Sequence, residues 1–441
     1  MKYDKFFSLA KEYGIEEAEL YISESTELSF SLFHGEVDSY ENNKSYNIIA
    51  RGLVNGRFGM AKCDTWSNEK CAYLVKEIKE NALVVENNDP AIIFAGSPKY
   101  HKVSTFNKDL ENVSFEAKLN ALHELEKEIR SLDKRIVEVA QVGYNQESNV
   151  TTLLNSKGLK LTSKSNFYYA FGVAVAVSET GQTKSEFEMH FGNDFSTFDP
   201  HDLAMKVVDK TVSQLGGEPC PSGKYKVVLA PNVVTSLLHA YIDYASSDRI
   251  QKNSSLFIGK LGEQIASKKL TVEDKPLEKN AFARWFDDEG VATCNKAIIK
   301  NGVLQTYLYN LKTASKEGVE STGNGFMGGN GIDVRPSFLA IKPGKKSQEE
   351  LFEQVGNGVY ITSVSGLHAG LNESSGNFSL QSTGFLIKDG KKDHGLDIIT
   401  VSGNLMNLFA DVLEVGSDTK ISPYGASCPS LLIKQLSVSG K

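Results

Sequence analysis

Residues 18–62 read AELYISESTELSFSLFHGEVDSYENNKSYNIIARGLVNGRFGMAK, and their period is that of strands. Apolar and polar side chains alternate through Leu20-Tyr21-Ile22, Leu28–Phe33, Tyr46–Ala50 and Arg57–Met60, so one face of each run can be buried while the other stays wet. Turn residues separate the runs at His34-Gly35, at Glu41-Asn42-Asn43 and at Asn55-Gly56. The Asn-Gly pair suits a two-residue hairpin turn, which needs positive φ at both positions. The segment predicts an antiparallel meander. Helical spacing flanks it: Phe6, Phe7, Leu9, Ala10 and Tyr13 before it, stopped by Gly14, and Ala72, Leu74, Val75, Ile78 and Leu83 after it, within Trp66–Val84.

The pattern recurs downstream. A polar, proline-punctuated stretch from Glu86 to Asn112 is expected to be a linker. An amphipathic helix over Ser114–Leu132 follows, then strands at Ile136–Tyr144, Val150–Asn155, Leu159–Val177 and Thr183–His190, and a helix at Asp202–Leu215 opened by Asp199-Pro200. No repeat of fixed period joins the two parts. Gly216-Gly217-Glu218-Pro219-Cys220-Pro221-Ser222-Gly223 marks a boundary, after which come a strand at Lys224–Leu229, a helix over 232–245, and mostly strands and glycine-containing loops. Strand runs with helices set apart predict an α+β fold rather than a parallel doubly wound sheet. The expected division is an N-terminal α+β domain over 1–217, with subsegments of about 1–85 and 113–217, and a β-rich C-terminal domain over 222–441.

The 441 residues carry a net charge of −7 and no Lys/Arg cluster longer than a pair or so, which disfavours a protein that binds by neutralising nucleic-acid phosphates. No apolar run approaches the roughly 20 residues of a membrane span. Asp4, Lys5, Lys11 and Glu12 interrupt the apolar residues near the start, unlike a secretory leader. The five cysteines (Cys63, Cys71, Cys220, Cys294, Cys428) are odd in number and form no CxxC pair. Together these predict a reduced, cytoplasmic protein with mostly buried thiols.

Chemistry concentrates on one helix, PNVVTSLLHAYIDY, residues 231–244. Asn232 is expected to cap it, Leu237, Leu238, Tyr241 and Ile242 to form its apolar face, and His239 and Asp243 to share a side, four residues apart. Such a pair could ligate a metal or simply hydrogen-bond one turn apart. Gly323-Asn324-Gly325-Phe326-Met327-Gly328 has the letters of GxGxxG but neither the preceding strand nor the following helix, because Gly329-Asn330-Gly331 comes next. It reads as a flexible loop able to admit a ligand backbone or act as a lid. Cys428, in Ala426-Ser427-Cys428-Pro429-Ser430, has no neighbouring histidine to activate it and is expected to be buried. Asp287-Asp288-Glu289 reads as a solvated turn. No GxSxG elbow, P-loop or kinase motif occurs.

Several stretches carry a family resemblance. Ser255–Ser267 (SLFIGKLGEQIAS) with Leu270–Asp274 (LTVED), Phe286–Gly290 (FDDEG), Gly302–Leu308 (GVLQTYL), Ser321–Gly325 (STGNG), Gly376–Ser379 (GNFS) with Gly384-Phe385, and Val401–Leu405 (VSGNL) resemble the TldD/PmbA family, also called TldD/TldE or modulator of DNA gyrase. The Gly52…Gly56-Arg57-Phe58-Gly59 and Asn87-Asp89-Pro90 regions agree with it. The TldD-like kind of subunit carries HExxxH on a helix. Here the aligned residues are His239-Ala240-Tyr241-Ile242-Asp243-Tyr244, so His239 is kept while Ala240 stands for the glutamate and Tyr244 for the second histidine. Cys428 lies nearer the terminal Pro-Ser-Leu-Leu than the family's ligand cysteine, and that role is not carried over.

The resemblance therefore implies a PmbA/TldE-like partner chain with no catalytic residue, metal or cofactor of its own. Zinc would belong to a TldD-like subunit, the pair forming a cytoplasmic heterodimeric metallopeptidase that acts on unfolded or extended peptides in proteolysis and peptide maturation. Gly323, Gly325, Gly328, Gly376 and Phe378 are the expected peptide-cavity residues, with the peptide held by main-chain hydrogen bonds along a strand. Two alternatives stay open: a self-sufficient, homodimeric metallopeptidase using a divergent site around His239 and Asp243, and a non-enzymatic regulatory binding protein of the gyrase-modulator type.

Overall fold

A computed structural model describes residues 3–86, 89–328 and 331–440. Its order begins α1 (Asp4–Glu12), β1 (Glu17–Phe33), β2 (Glu36–Val54), β3 (Arg57–Cys63), α2 (Asn68–Leu83), α3 (Lys108–Asn112), α4 (Phe115–Leu132), β4 (Ile136–Asn155), β5 (Lys160–Val177), β6 (Thr183–Gly192) and α5 (Pro200–Val212). The strands form one antiparallel sheet in the order β3-β2-β1-β4-β5-β6. The fold is α+β.

The turns at His34-Gly35 and Asn55-Gly56 take positive φ at both positions, the mirror-image geometry that matches strand twist. Glu41-Asn42-Asn43, expected to be a turn, is not one. β2 runs straight through it, each residue paired with β1, and Glu36–Ser45 is exposed. β3 reaches only as far as Ile48, so the outer edge of β2 before that point is unpaired among the described residues. Similarly, the two strands predicted over 136–155 are one, β4.

These strands are long enough to serve two cores. Toward one end, Leu20, Ile22, Ile48 and Ala50 pack under Phe6, Leu74, Val75 and Ile78 of α1 and α2. Toward the other, Phe30, Leu32, Val142, Tyr144 and Tyr168 pack under Leu122, Leu125, Ile129 and Val207 of α4 and α5. The subsegments on either side of the 86–112 stretch thus share a single sheet. That stretch is not a free linker. Phe94 O accepts from Asn155 Nδ2 (2.7 Å), the Tyr100 hydroxyl donates to Gly290 O (2.7 Å), and Thr105 bridges Ser165. Asn87 of the expected family match lies outside the described residues.

The second half starts with β7 (Gly223–Leu229) and α6 (Pro231–Ile242). β7 lies between Gly358–Ser365 and Leu431–Ser439 in a sheet continued by Ile399–Asn404 and Asn377–Lys388. Gly358–Ser365 also pairs with Asn377–Lys388, closing the ladder on itself. A second sheet joins Val272–Asp274, Lys296–Lys300, Leu339–Ile341 and Ala426–Cys428. α6 is not capped by Asn232. Its N-cap is Ala230, with Pro231 in the first turn, and Asn232 Nδ2 donates instead to Thr362 O at 2.8 Å. Its apolar face (Val233, Val234, Leu237, Leu238, Tyr241, Ile242) is buried as expected.

One ion pair sits inside the first sheet. Arg51 on β2 faces Glu19 on β1 in register, with Nε 3.1 Å from Oε1 and Nη2 bonded to the same oxygen; both side chains are almost wholly buried. Asn155 of β4 donates to the other carboxylate oxygen at 3.3 Å. Removing one partner leaves an uncompensated buried charge, whereas apolar replacement of both does not. Arg51→Ala is expected to lower the unfolding free energy by about 3–5 kcal/mol, and Glu19→Leu/Arg51→Met by much less. Urea unfolding of the two variants checks the order; equal losses would refute this account.

Candidate functional site

Between the first sheet and the second half lies a cleft of about 750 Å³, within the range of small-molecule and peptide sites. Tyr21, Asn149, Thr151 and Ser163 form its wall on the first sheet, and Thr235, Ser236 and His239 of α6 the opposite one. Phe326, Arg335 and Ser337 enter from the chain around 325–337, and Tyr424 from the rim.

Buried carboxylates set this geometry. Asp274, fully buried, accepts from Ser337 N (2.9 Å), Phe338 N (3.0 Å), Asn324 Nδ2 (2.8 Å) and Lys296 Nζ (3.1 Å). Asn324 in turn holds the Arg335 backbone on both sides, donating to its carbonyl at 2.9 Å and accepting from its N–H at 3.2 Å. The triplet Asp287-Asp288-Glu289 is not a solvated turn: the three residues are 1%, 4% and 4% exposed. Asp287 accepts from Gly325 N, Glu289 N and Val291 N, Asp288 from Met327 N and the Arg284 guanidinium, and Glu289 from Leu311 N.

The glycine-rich segment is ordered by these contacts and is not a free loop. Gly325–Met327 pairs with Ile332–Val334 as a hairpin. Residues 329 and 330, part of the expected lid, lie outside the described residues. Gly323 and Gly325 are buried, and a Cβ on Gly325 would stand 2.6 Å from Glu289 Oε2, so glycine is needed for the close approach.

Of the residues singled out from sequence, His239 lines the cleft; the expected cavity residues Gly323, Gly325 and Gly328 do not, although Phe326, between them, does. Ala240 packs against the core; Tyr244 is buried and its hydroxyl donates to Glu373 O at 2.6 Å. Asp243 is paired with Arg249 rather than with His239. Gly376 and Phe378 sit elsewhere, near Leu256 and Asn404, and do not line the cleft. Cys428 is buried, and burial pushes its thiol up to about 12, beside Thr235; Cys294 is exposed. Burial, opposed by a hydrogen bond with the Tyr424 backbone and aided by repulsion from Arg335, holds the His239 imidazole below the usual histidine range and so neutral at pH 7.

Sequence reasoning missed Thr235, Ser337, Arg284, Arg335 and Phe326. Thr235 precedes His239 by one helical turn, which was a usable signal. The others come from segments whose approach is set by the buried carboxylates, and nothing local announces it.

Residues 222–440 match the family description "PmbA/TldA metallopeptidase C-terminal domain", residues 108–215 its central domain and residues 18–82 its domain 1. A Thermotoga maritima crystal structure, described as that of a candidate modulator of a DNA gyrase, superposes with a TM-score of 0.91 at 33% identity, covering 99% of each chain. TldE from Thermococcus kodakarensis has the same fold (TM-score 0.91, 22% identity, 100% of each chain). The metalloprotease PmbA of Escherichia coli O157:H7 is 25% identical over 437 residues, 96% of this chain and 92% of the relative. Among the described residues no helix is long and apolar enough to cross a membrane.

Burial is the main cause that raises the carboxyls of both Asp287 and Glu289. Repulsion from Glu289 adds to it at Asp287; at Glu289 the Arg51 guanidinium opposes it. A raised carboxyl binds more protons in the folded chain than in the unfolded one, so stability falls as pH rises above the ordinary carboxylate range of about 4. Glu289→Gln, which keeps an acceptor for Leu311 N, is expected to flatten this fall. Urea midpoints measured between about pH 5 and about 8 test it; an unchanged slope would refute the assignment.

Proposed function

The chain belongs to the PmbA/TldD metallopeptidase family, and on that premise we propose that it is the non-catalytic, TldE/PmbA-like subunit of a peptidase. It holds an unfolded or extended peptide in the cleft beside α6, while a TldD-like partner supplies zinc and the hydrolytic step. The observation that carries this reading is the state of α6 and of the single 3-10 turn, Asp243–Ala245, that follows it. His239 reaches the cleft, Ala240 offers no proton acceptor, and the Tyr244 hydroxyl is turned away to Glu373 O.

A catalytic zinc takes three protein ligands and a water, and the residues around His239 do not fit one. Thr235, Ser236 and Ser337 are poor ligands, the nearby Cys428 thiol is held protonated by burial, and the Arg335 guanidinium repels a cation. Among the described residues no group of three or more His, Cys, Asp or Glu side chains is placed to hold a metal. No step of the chemistry is assigned to this chain. Its share is shape and hydrogen bonding: a partly aromatic, partly polar trough suits an extended main chain with varied side chains.

The test is to assay one unfolded peptide with this chain alone, with a TldD-like chain alone and with both, in the presence and absence of a chelator. Chelator-sensitive cleavage that needs the mixture is the expected result. Chelator-sensitive cleavage by this chain alone, with stoichiometric zinc in the purified protein, would overturn the proposal in favour of a self-sufficient homodimeric peptidase. Ser236→Trp, which fills the cleft from α6, is expected to cut cleavage by the pair about tenfold or more, equivalent to at least ~1.4 kcal/mol.

A further inference from the structure

The cleft lining is unusual in charge for so acidic a protein. It contains Arg284, Arg335 and His239 and no Asp or Glu. Asp288, behind the wall, neutralises Arg284. Arg335 has no ion-pair partner among the described residues, yet it is held in place. Its backbone is gripped by Asn324, and its guanidinium carbon lies 4.4 Å from the centre of the Phe326 ring. A guanidinium stacked on an aromatic face keeps its N–H fork free for an oxyanion and loses little further freedom on binding one.

A second observation points the same way. Six buried side-chain polar atoms find no partner in good hydrogen-bond geometry among the described residues, and three of them line this cleft: Ser337 Oγ, Thr235 Oγ1, whose polar neighbour is the Cys428 thiol, and His239 Nε2, on a ring already engaged with the Tyr424 backbone. Thr235 is only 2% exposed. Unmade buried hydrogen bonds are costly and uncommon, and their concentration at one place marks where a ligand makes them. Hydroxyls can donate to an anion, and the Arg335 guanidinium carries donors only.

We infer that the cleft receives a carboxylate of the bound peptide on Arg335, with the Thr235 and Ser337 hydroxyls completing its hydrogen bonds. The inference rests on the peptide-holding reading above and specifies its substrate: an extended peptide presenting either its terminal carboxylate or an acidic side chain. Phe326, Phe282 and Tyr424 beside these groups provide apolar surface for the neighbouring residue. Charge-assisted bonds to an oxyanion are the stronger kind, so the carboxylate sets peptide register in the trough.

Three labelled peptides of one sequence test this by fluorescence anisotropy with the whole chain: a free C-terminal acid, its C-terminal amide, and the amide with one internal glutamate. At least one carboxylate peptide is expected to bind about tenfold or more tighter than the neutral amide, and which one it is identifies the source of the anion. Arg335→Gln is expected to bring carboxylate peptides down to the affinity of the amide. Arg335→Lys should restore part of the preference, and circular dichroism confirms that the variants fold. Equal binding of all three peptides, or a preference that survives Arg335→Gln, would overturn the carboxylate assignment and leave the peptide-holding reading standing. Failure of all three to bind would overturn both.

Discussion

Buried carboxylates that accept from backbone N–H groups are the interaction on which the second half is built. Removing a carboxylate from water is costly unless its lone pairs are met, and Asp274, Asp287, Asp288 and Glu289 meet theirs with the amides of Ser337, Phe338, Gly325, Val291, Met327 and Leu311. Each bond ties a loop to a fixed point. The segments bearing Phe326, Arg335 and Ser337 have little regular structure of their own, yet they approach the first sheet with defined geometry because these acids leave them few alternatives. The same device explains why glycine stands at 325, where any side chain would displace Glu289.

The cleft follows from that scaffold. It lies where the first sheet, α6 and the carboxylate-anchored loops converge, and no one element contains it. On its α6 side it presents a single imidazole beside hydroxyls, and a guanidinium faces them from the 335 segment. The pocket is consequently suited to hydrogen bonding an anion rather than to activating water, and the division of labour proposed for the two subunits is a statement about which side chains face this space.

Much of the fold was legible. Strand alternation, the two hairpin turns at His34-Gly35 and Asn55-Gly56, the apolar faces of α2, α4 and α6, and the α+β class all follow from local periodicity and turn chemistry. The failures share a cause. Glu41-Asn42-Asn43 has turn composition but stays extended because β1 pairs with it residue by residue, and cross-strand pairing overrides local preference. Asp287-Asp288-Glu289 looks solvated because the amides that allow its burial lie up to about forty residues away in sequence, as with Met327. Of the site, His239 was visible as the one residue retained from a family motif, whereas Arg335 and Ser337 depend on partners that sequence spacing does not reveal.

The outer margin of β2 before Ile48 has a different consequence. Among the described residues this margin has no neighbour, so alternate residues along it turn main-chain donors and acceptors to the medium, a ready template for a second extended polypeptide. Glu36, Asp38, Glu41 and Lys44 stud that margin. Stacked copies would bring like charges together, and that repulsion opposes assembly along this edge.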